Sequence, residues 1–193
     1  MNGIIEVGTG KIKVHNIFDE LPSFMNEADC IFVDPPCSLG NINTFYTKDD
    51  RTDYQTNYLA FQNRLFECID IIKPRYLYIE VFKSNKEEFI KECQKRYINV
   101  EVIESSYYHK KANKCWIIVC SNEEVINPNE FLDEQDFIEW VCKNVNYKCI
   151  GDLCMGQGLV GFYANKYGKY FVGTELNKKR LAVLIERIEN SHL

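Results

Sequence analysis

Hydrophobic and polar positions change their period along the chain, and each change marks an element. Lys11-Ile12-Lys13-Val14-His15 alternates every two residues and predicts a half-buried strand. Cys30-Ile31-Phe32-Val33 is an unbroken apolar run halted by Asp34-Pro35-Pro36, the pattern of a parallel strand covered on both faces. Over residues 57–72, Leu59, Phe61, Leu65, Cys68, Ile69 and Ile72 recur at mostly helical spacing, and Lys73-Pro74 closes the run. A strand is predicted over 76–82, then a helix capped by Ser84 that runs to about residue 96, with Glu87 and Glu88 near its positive end. Strands over 100–106 and 114–120 flank the polar stretch 107–113 and predict an antiparallel hairpin at one edge of a sheet. Asn127-Pro128-Asn129 opens a helix to about residue 145. The last unit is a strand over 147–153, a glycine-rich loop, a helix over 159–167, a strand over 169–174 and a helix over 178–188. Strands alternating with helices predict an α/β sheet with helices on its faces. Residues 37–56 are the longest expected loop, polar and aromatic with Phe45, Tyr46, Arg51 and Tyr54; a loop of that length is often functional.

Composition narrows the class. The chain has 193 residues, which suits one compact domain spanning 1–193. With 46% hydrophobic and 26% charged residues, 10 Gly and 5 Pro, disordered and collagenous classes are excluded. The net charge of −5 argues against holding nucleic acid by bulk charge, leaving local basic rims. No apolar run reaches the ~20 residues of a membrane span, and the first residues lack the pattern of a signal peptide, so the expected location is cytoplasmic. Nine cysteines, an odd number with no C-x-x-C pair, fit a reducing compartment. His15, His109 and His192 form no metal-ligand spacing, and no metal is expected.

Two segments carry chemistry. Asp152-Leu153-Cys154-Met155-Gly156-Gln157-Gly158-Leu159-Val160-Gly161 lies between a strand and a helix, where glycines admit a ligand to the backbone and the helix start offers unpaired N–H groups. Glu175 ends the next strand, 19 residues after Gly156, placed to accept ribose hydroxyls of an adenosine-containing cofactor. NAD and S-adenosylmethionine compete as that cofactor. A carboxylate at the strand end, Asp152, would repel a pyrophosphate but suit an α-ammonium, which favours S-adenosylmethionine. Asp34-Pro35-Pro36-Cys37 follows the other buried strand and should emerge at the same sheet edge. There a carboxylate beside a rigid carbonyl can accept both N–H groups of an exocyclic amine and direct its lone pair at a methyl sulfonium. Taken alone, the same residues also describe a capped strand end with a Pro-Pro turn.

In these motifs the chain resembles the amino-group DNA methyltransferases of the permuted β class, in which a D-P-P-Y segment precedes D-P-F-x-G-S-G and then G-I-E. The matching residues are Asp34-Pro35-Pro36-Cys37, Asp152 to Gly158, and Gly173-Thr174-Glu175. The resemblance covers nearly the whole chain. It implies a Rossmann-like methyltransferase fold with a mostly parallel seven-stranded sheet, one antiparallel edge strand and helices on both faces. It implies S-adenosylmethionine as cofactor and DNA methylation, as in restriction-modification, on a base flipped out of the duplex. Asp34 and Pro35 would hold the target amine, with Asp34 also bordering the cofactor; Pro36 would shape the base pocket. Asp152, Gly156 and Gly158 would bind the methionine side and Glu175 the ribose, with Cys154 and Leu176 lining the same site. Asn16 would meet the adenine, and Phe131 and Leu132 would lie near the ligand. Asp rather than Ser before Pro-Pro favours adenine N6 over cytosine N4.

Cys37 departs from the pattern, because the fourth position of D-P-P-Y is aromatic and stacks on the flipped base. That loss removes ~1 to 3 kcal/mol of base binding unless Phe45, Tyr46 or another ring replaces it. Nothing between 122 and 128 is long enough for a separate target-recognition domain. Sequence choice then falls to the segment 37–56, to the hairpin around His109-Lys110-Lys111, or to a second copy or partner chain. Lys110, Lys111 and Lys114, with Lys178-Lys179-Arg180, are the basic clusters, so DNA binding should be weak and salt-sensitive. A catalytically silent subunit of the same fold, or a methyltransferase for RNA or a small amine, are the alternative functions.

Overall fold

The structure is a computed structural model that describes residues 3–48, 57–107, 110 and 112–190. Arg51, Tyr54, His109, Lys111 and His192 lie outside the described residues. In chain order the elements are β1 (Ile5–Val7), β2 (Gly10–Val14), a 3-10 turn (Ser23–Glu27), β3 (Cys30–Val33), α1 (Leu39–Lys48), α2 (Tyr58–Ile72) and β4 (Tyr76–Val81). They continue with α3 (Lys86–Gln94), β5 (Asn99–Ser106), β6 (Lys114–Ser121), α4 (Glu134–Asn144), β7 (Cys149–Asp152), α5 (Leu159–Lys166), β8 (Tyr170–Glu175) and α6 (Lys178–Asn190).

The strands form one sheet in the order β1-β2-β8-β7-β3-β4-β6-β5. β2, β8, β7, β3 and β4 run parallel, and β6 runs antiparallel to both β4 and β5. The β5–β6 pair is the expected edge hairpin. The sheet has eight strands rather than seven, and its antiparallel strands are β6, one place in from the edge, and β1 at the far edge. β1 escapes sequence reading because three residues are too short to show a period; it exists by pairing with β2 across a tight turn.

Period two on the central strands divides the core. Ile31, Val33, Leu77, Ile79 and Val81 face a cluster with α2, α3 and the 3-10 turn, while Cys30, Phe32, Tyr76 and Tyr78 face a second cluster with α4, α5 and α6. All nine cysteines are free thiols, seven of them buried. No described helix is long and apolar enough to cross a membrane.

Three helix starts differ from the sequence expectation, each for a local reason. α1 occupies much of the expected loop: Ser38 Oγ accepts from Asn41 N at 3.3 Å, and only Ile42 and Tyr46, four apart, are buried, a stripe too narrow to stand out. α3 begins after Asn85 rather than Ser84, Asn85 Oδ1 instead accepting from Phe82 N at 3.0 Å. α4 begins at Glu134, not near 129, because Asp133 Oδ1 accepts from Asp136 N at 3.1 Å while Asp136 Oδ2 accepts from Leu132 N at 2.9 Å, a reciprocal cap.

β7 continues through α5 to β8 on one side, and β3 continues through α2 to β4 on the other. The strand order therefore reverses between β3 and β7, where a crevice opens at the carboxyl ends. Asp29 closes the opposite end of this seam. Its carboxylate accepts from Lys148 N and Cys149 N, both at 2.9 Å; its N–H donates to Cys149 O at 3.1 Å, and its carbonyl accepts from Arg75 N at 2.7 Å. Replacing it as Asp29→Ala removes the acceptor for Cys149 N–H and should lower the unfolding free energy by about 1–3 kcal/mol. Urea denaturation reads this directly, and an unchanged midpoint would show that the carboxylate does not hold the seam.

Candidate active site

The carboxyl ends of β2, β3, β4, β7 and β8 open into one cleft of about 840 Å³. It is lined by Asp34, Pro35, Pro36 and Cys37 after β3, by Asp152, Cys154 and Gly156 after β7, and by Glu175 and Leu176 of the β8 end. Asn16 after β2 and Phe45 and Tyr46 of α1 complete the predicted residues that reach it. Two segments more than a hundred residues apart in the chain thus meet because β3 pairs with β7.

On the β7–β8 side, Glu175 grips the glycine loop. Its Oε2 accepts from Gly156 N at 2.7 Å and its Oε1 from Asn177 N at 2.9 Å, so the carboxylate is oriented by two backbone donors. Asp152 Oδ1 accepts from Cys154 N at 2.9 Å. Burial, and then the nearby charges of Asp34 and Glu175, push the Asp152 carboxyl well above its ordinary range, although the Cys154 N–H opposes this. Burial likewise raises the Cys154 thiol, which keeps it protonated. Gly156 has φ 54°, and a Cβ there would meet nothing nearer than Arg180 Nη1 at 3.5 Å and Cys154 O at 4.0 Å, so a ligand can approach its backbone. Gly158 does other work than expected: it has φ 74°, precedes α5, and a Cβ there would meet Leu184 of α6 at 2.7 Å. It is outside the cleft lining and serves helix packing.

Asn16 is buried, and its Oδ1 accepts from Tyr46 Oη at 2.7 Å and from Phe18 N at 3.2 Å. Tyr46 is therefore a mostly buried strut of the cleft wall, tied to Asn16, rather than an open stacking ring. Beside Asn16, His15 is buried with Nε2 lacking a hydrogen-bond partner, and burial lowers its pKa so that the neutral ring is favoured. The later start of α4 also moves its contribution. Phe131 packs edge-on against Phe137 at 5.1 Å and Leu132 is 75% exposed, and neither lines the cleft; Glu134, Gln135 and Ile138 do.

On the β3–β4 side, Asp34 projects into the cleft. Its side chain is exposed to that cleft, with the body of the protein behind it, and a ligand there would strip its remaining water. Burial first, then Glu134, raises its carboxyl to about 7, with Arg180 partly opposing. Pro35 is buried, and the Cys37 thiol donates to Asn41 Oδ1 at 3.0 Å. Three residues here were not read from the sequence. Glu80, on β4, is 2% exposed and lines the cleft. Phe82 and Tyr107 stack with centroids 5.5 Å apart and form an aromatic wall of the cleft. Their signal was only an acid inside an apolar strand and rings at strand ends. At the mouth, Phe45 lies under the Arg180 guanidinium at 4.6 Å.

Of the expected DNA-contacting lysines, Lys110 is exposed but outside the cleft lining, and Lys111 lies outside the described residues. Lys114 lines the cleft and pairs with Glu104 at 2.7 Å. Five acids, Asp34, Glu80, Glu134, Asp152 and Glu175, line the cleft with Lys114, Arg180 and Arg187, and burial favours the protonated form of Asp34, Glu80 and Asp152. Among the described residues, no group of three His, Cys, Asp or Glu side chains could hold a metal ion.

No family model matches the chain, and no curated protein matches it. Solved structures do. M1.HpyAVI in complex with SAM aligns with a TM-score of 0.62 and 13% identity over 92% of this chain and 99% of that one. TTHA0409 from Thermus thermophilus, named as a candidate DNA modification methylase and complexed with S-adenosyl-L-methionine, gives 0.60 and 13% over 86% of each chain. The cytosine-N4-specific PvuII DNA methyltransferase gives 0.58 and 10% over 94% of this chain and 86% of that one. At such identities the likeness is one of fold, and the fold is the Rossmann-like architecture of these proteins.

The raised Asp34 carboxyl has a thermodynamic consequence of definite sign. The folded state holds this proton up to about pH 7, whereas the unfolded chain releases it near 3.8, so Asp34 costs stability increasingly as pH rises from about 4 through 7. Asp34→Asn should melt with the native protein near pH 4 and a few degrees above it at pH 8, as read by calorimetry. A constant difference across that window would contradict the assignment.

Proposed function

We propose that this protein transfers a methyl group from S-adenosylmethionine to an exocyclic amine of a flipped DNA base, with adenine N6 as the acceptor. The observation that carries this reading is the meeting of Asp34-Pro35 with Asp152, Gly156 and Glu175 at the β3–β7 switch point, in a fold shared with DNA-modifying proteins solved with this cofactor. Choosing adenine rests on Asp34 in place of Ser, a resemblance argument, since the fold also serves a cytosine-N4-specific enzyme.

The cleft's residues fit the cofactor. Glu175, oriented by two backbone donors at the end of β8, is placed for ribose hydroxyls, and Asp152 offers an acceptor for an ammonium. Open space over Gly156 admits close approach, and the unpartnered His15 Nε2 beside Asn16 suits a polar ring edge. When bound, S-adenosylmethionine supplies a methyl group on a positively charged sulfonium.

The chain's own residues then work on the amine. The Asp34 carboxylate and the Pro35 carbonyl would accept its two N–H bonds, turning the nitrogen lone pair out of conjugation, and Asp34 Oδ would take the proton released as the N–C bond forms and the methyl–sulfur bond of the sulfonium breaks to leave a neutral thioether. The stacked Phe82–Tyr107 wall supplies the ring surface that Cys37 does not. Lys178 and Lys179, exposed on α6, with Lys110, form the rim for phosphates; sequence choice comes from the rim or from a second chain.

The test uses radiolabelled S-adenosylmethionine and unmethylated genomic DNA, with the labelled nucleoside identified after digestion. Label is expected in N6-methyladenine, with Asp34→Ala reducing it at least ~100-fold while cofactor binding persists. Label in N4-methylcytosine would move the acceptor. No label in a preparation that binds cofactor would favour the silent-subunit reading, which Cys37→Tyr then tests by gain of activity.

A further inference from the structure

Glu80 is a buried acid that the hydrogen bonds of Tyr107 and Cys115 satisfy only in part. β3 and β4 pair in parallel with Phe32 opposite Tyr78 and Val33 opposite Ile79, and the rings of Phe32 and Tyr78 stack at 5.8 Å and 10°. Two residues further on, on the same face, stand Asp34 and Glu80, so the two carboxyls project side by side into the cleft. Glu80 is 2% exposed and its Oε1 has no hydrogen-bond partner. A buried polar atom without a partner is costly, and a strand position flanked by Ile79 and Val81 would be filled more stably by an apolar residue.

The groups that face Glu80 are Asp34 after β3, Glu134 of α4, Tyr107 of the β5–β6 turn and Cys115 of β6. None is a cation. Burial first, then Asp34 and Glu134, favour the neutral carboxyl over the opposing hydrogen bonds of Tyr107 and Cys115, and that form carries an O–H donor as well as acceptor oxygens. Asp34, beside Arg180 and nearer the mouth, is the more readily ionised of the two. One site thus holds an acceptor next to a donor. An amine attached to a ring carbon beside an unprotonated ring nitrogen presents the complementary pair, N–H next to a lone pair.

We propose that Glu80 is the specificity residue of the base pocket, donating a hydrogen bond from its carboxyl O–H to the ring nitrogen adjacent to the acceptor amine, N1 of adenine or N3 of cytosine, while Asp34 accepts from the amine itself. The inference rests on the methyltransferase reading above and adds to it a donor that no motif in the sequence announces.

Duplexes carrying 1-deazaadenine, in which C–H replaces N1, test it together with Glu80→Leu and Glu80→Gln; 3-deazacytosine serves if cytosine is the labelled base. Methyl transfer and equilibrium binding to protein saturated with S-adenosylhomocysteine are both measured. The native protein should lose roughly tenfold or more in kcat/KM and in affinity on the deaza duplex. Glu80→Leu should lose the same factor on the natural base and nothing further on the analogue, while Glu80→Gln, whose amide still donates, should recover most of the loss. A thermal midpoint for Glu80→Leu at or above the native value would show that the loss is not misfolding. Native rates in Glu80→Leu, or a deaza penalty undiminished in that variant, would overturn the inference and leave the parent reading standing. Native protein that binds cofactor but methylates neither base would overturn both.

Discussion

One parallel seam, β3 against β7, joins two halves of the molecule that otherwise diverge. Each half is a strand-helix-strand unit with its own order in the chain, and the crossover rule sends their helices to opposite faces of the sheet. Only at this seam do the two units touch strand to strand, through Cys30 with Ile150 and Ile31 with Gly151. Asp29 ties the amino ends of three strands there, and the carboxyl ends are left to open. The cleft is therefore a consequence of topology before it is a matter of side chains. Any pair of residues placed just past β3 and β7 will face each other across it.

What occupies those positions is electrostatically unusual. Five carboxyls converge in one cleft, and the available cations sit at its edge: Arg180 against Phe45, Arg187 against Gln157, Lys114 against Glu104. Burial, and after it this crowding, raises the proton affinity of the innermost acids. Burial first, and neighbouring carboxyls after it, raise both Asp34 and Asp152 above the ordinary carboxyl range. The arrangement also separates tasks. The acids line the cleft floor, whereas the basic side chains sit at its edge and the stacked Phe82–Tyr107 rings form one wall.

Element type and order were legible in the sequence wherever burial on both faces or a helical stripe imposed a clear period. β3, β4, β7, β8, α2 and α5 emerge with ends close to those expected, and the edge hairpin of β5 and β6 is present. The chemistry-bearing segments were legible too, because backbone constraint is written in residue type: prolines after β3, glycines before α5, an acid at the end of β8. Errors fall where local hydrogen bonds decide. The Asp133–Asp136 cap delays α4 and replaces Phe131 and Leu132 by Glu134 and Ile138 at the cleft; the Ser38 cap turns half of an expected loop into α1, which buries Tyr46 against Asn16.

The sequence by itself determined the alternating architecture, the glycine loop, the Asp34-Pro35-Pro36 segment and the acid that closes β8, since each is dictated by contacts within a few residues. Tertiary structure alone decided which of these share a cleft, that Gly158 serves Leu184 rather than a ligand, and that Glu80 stands beside Asp34. The physical reason is that strand register and helix packing couple residues far apart in the chain, and a single acid within a β-strand carries no sign of its neighbours until the strands are paired.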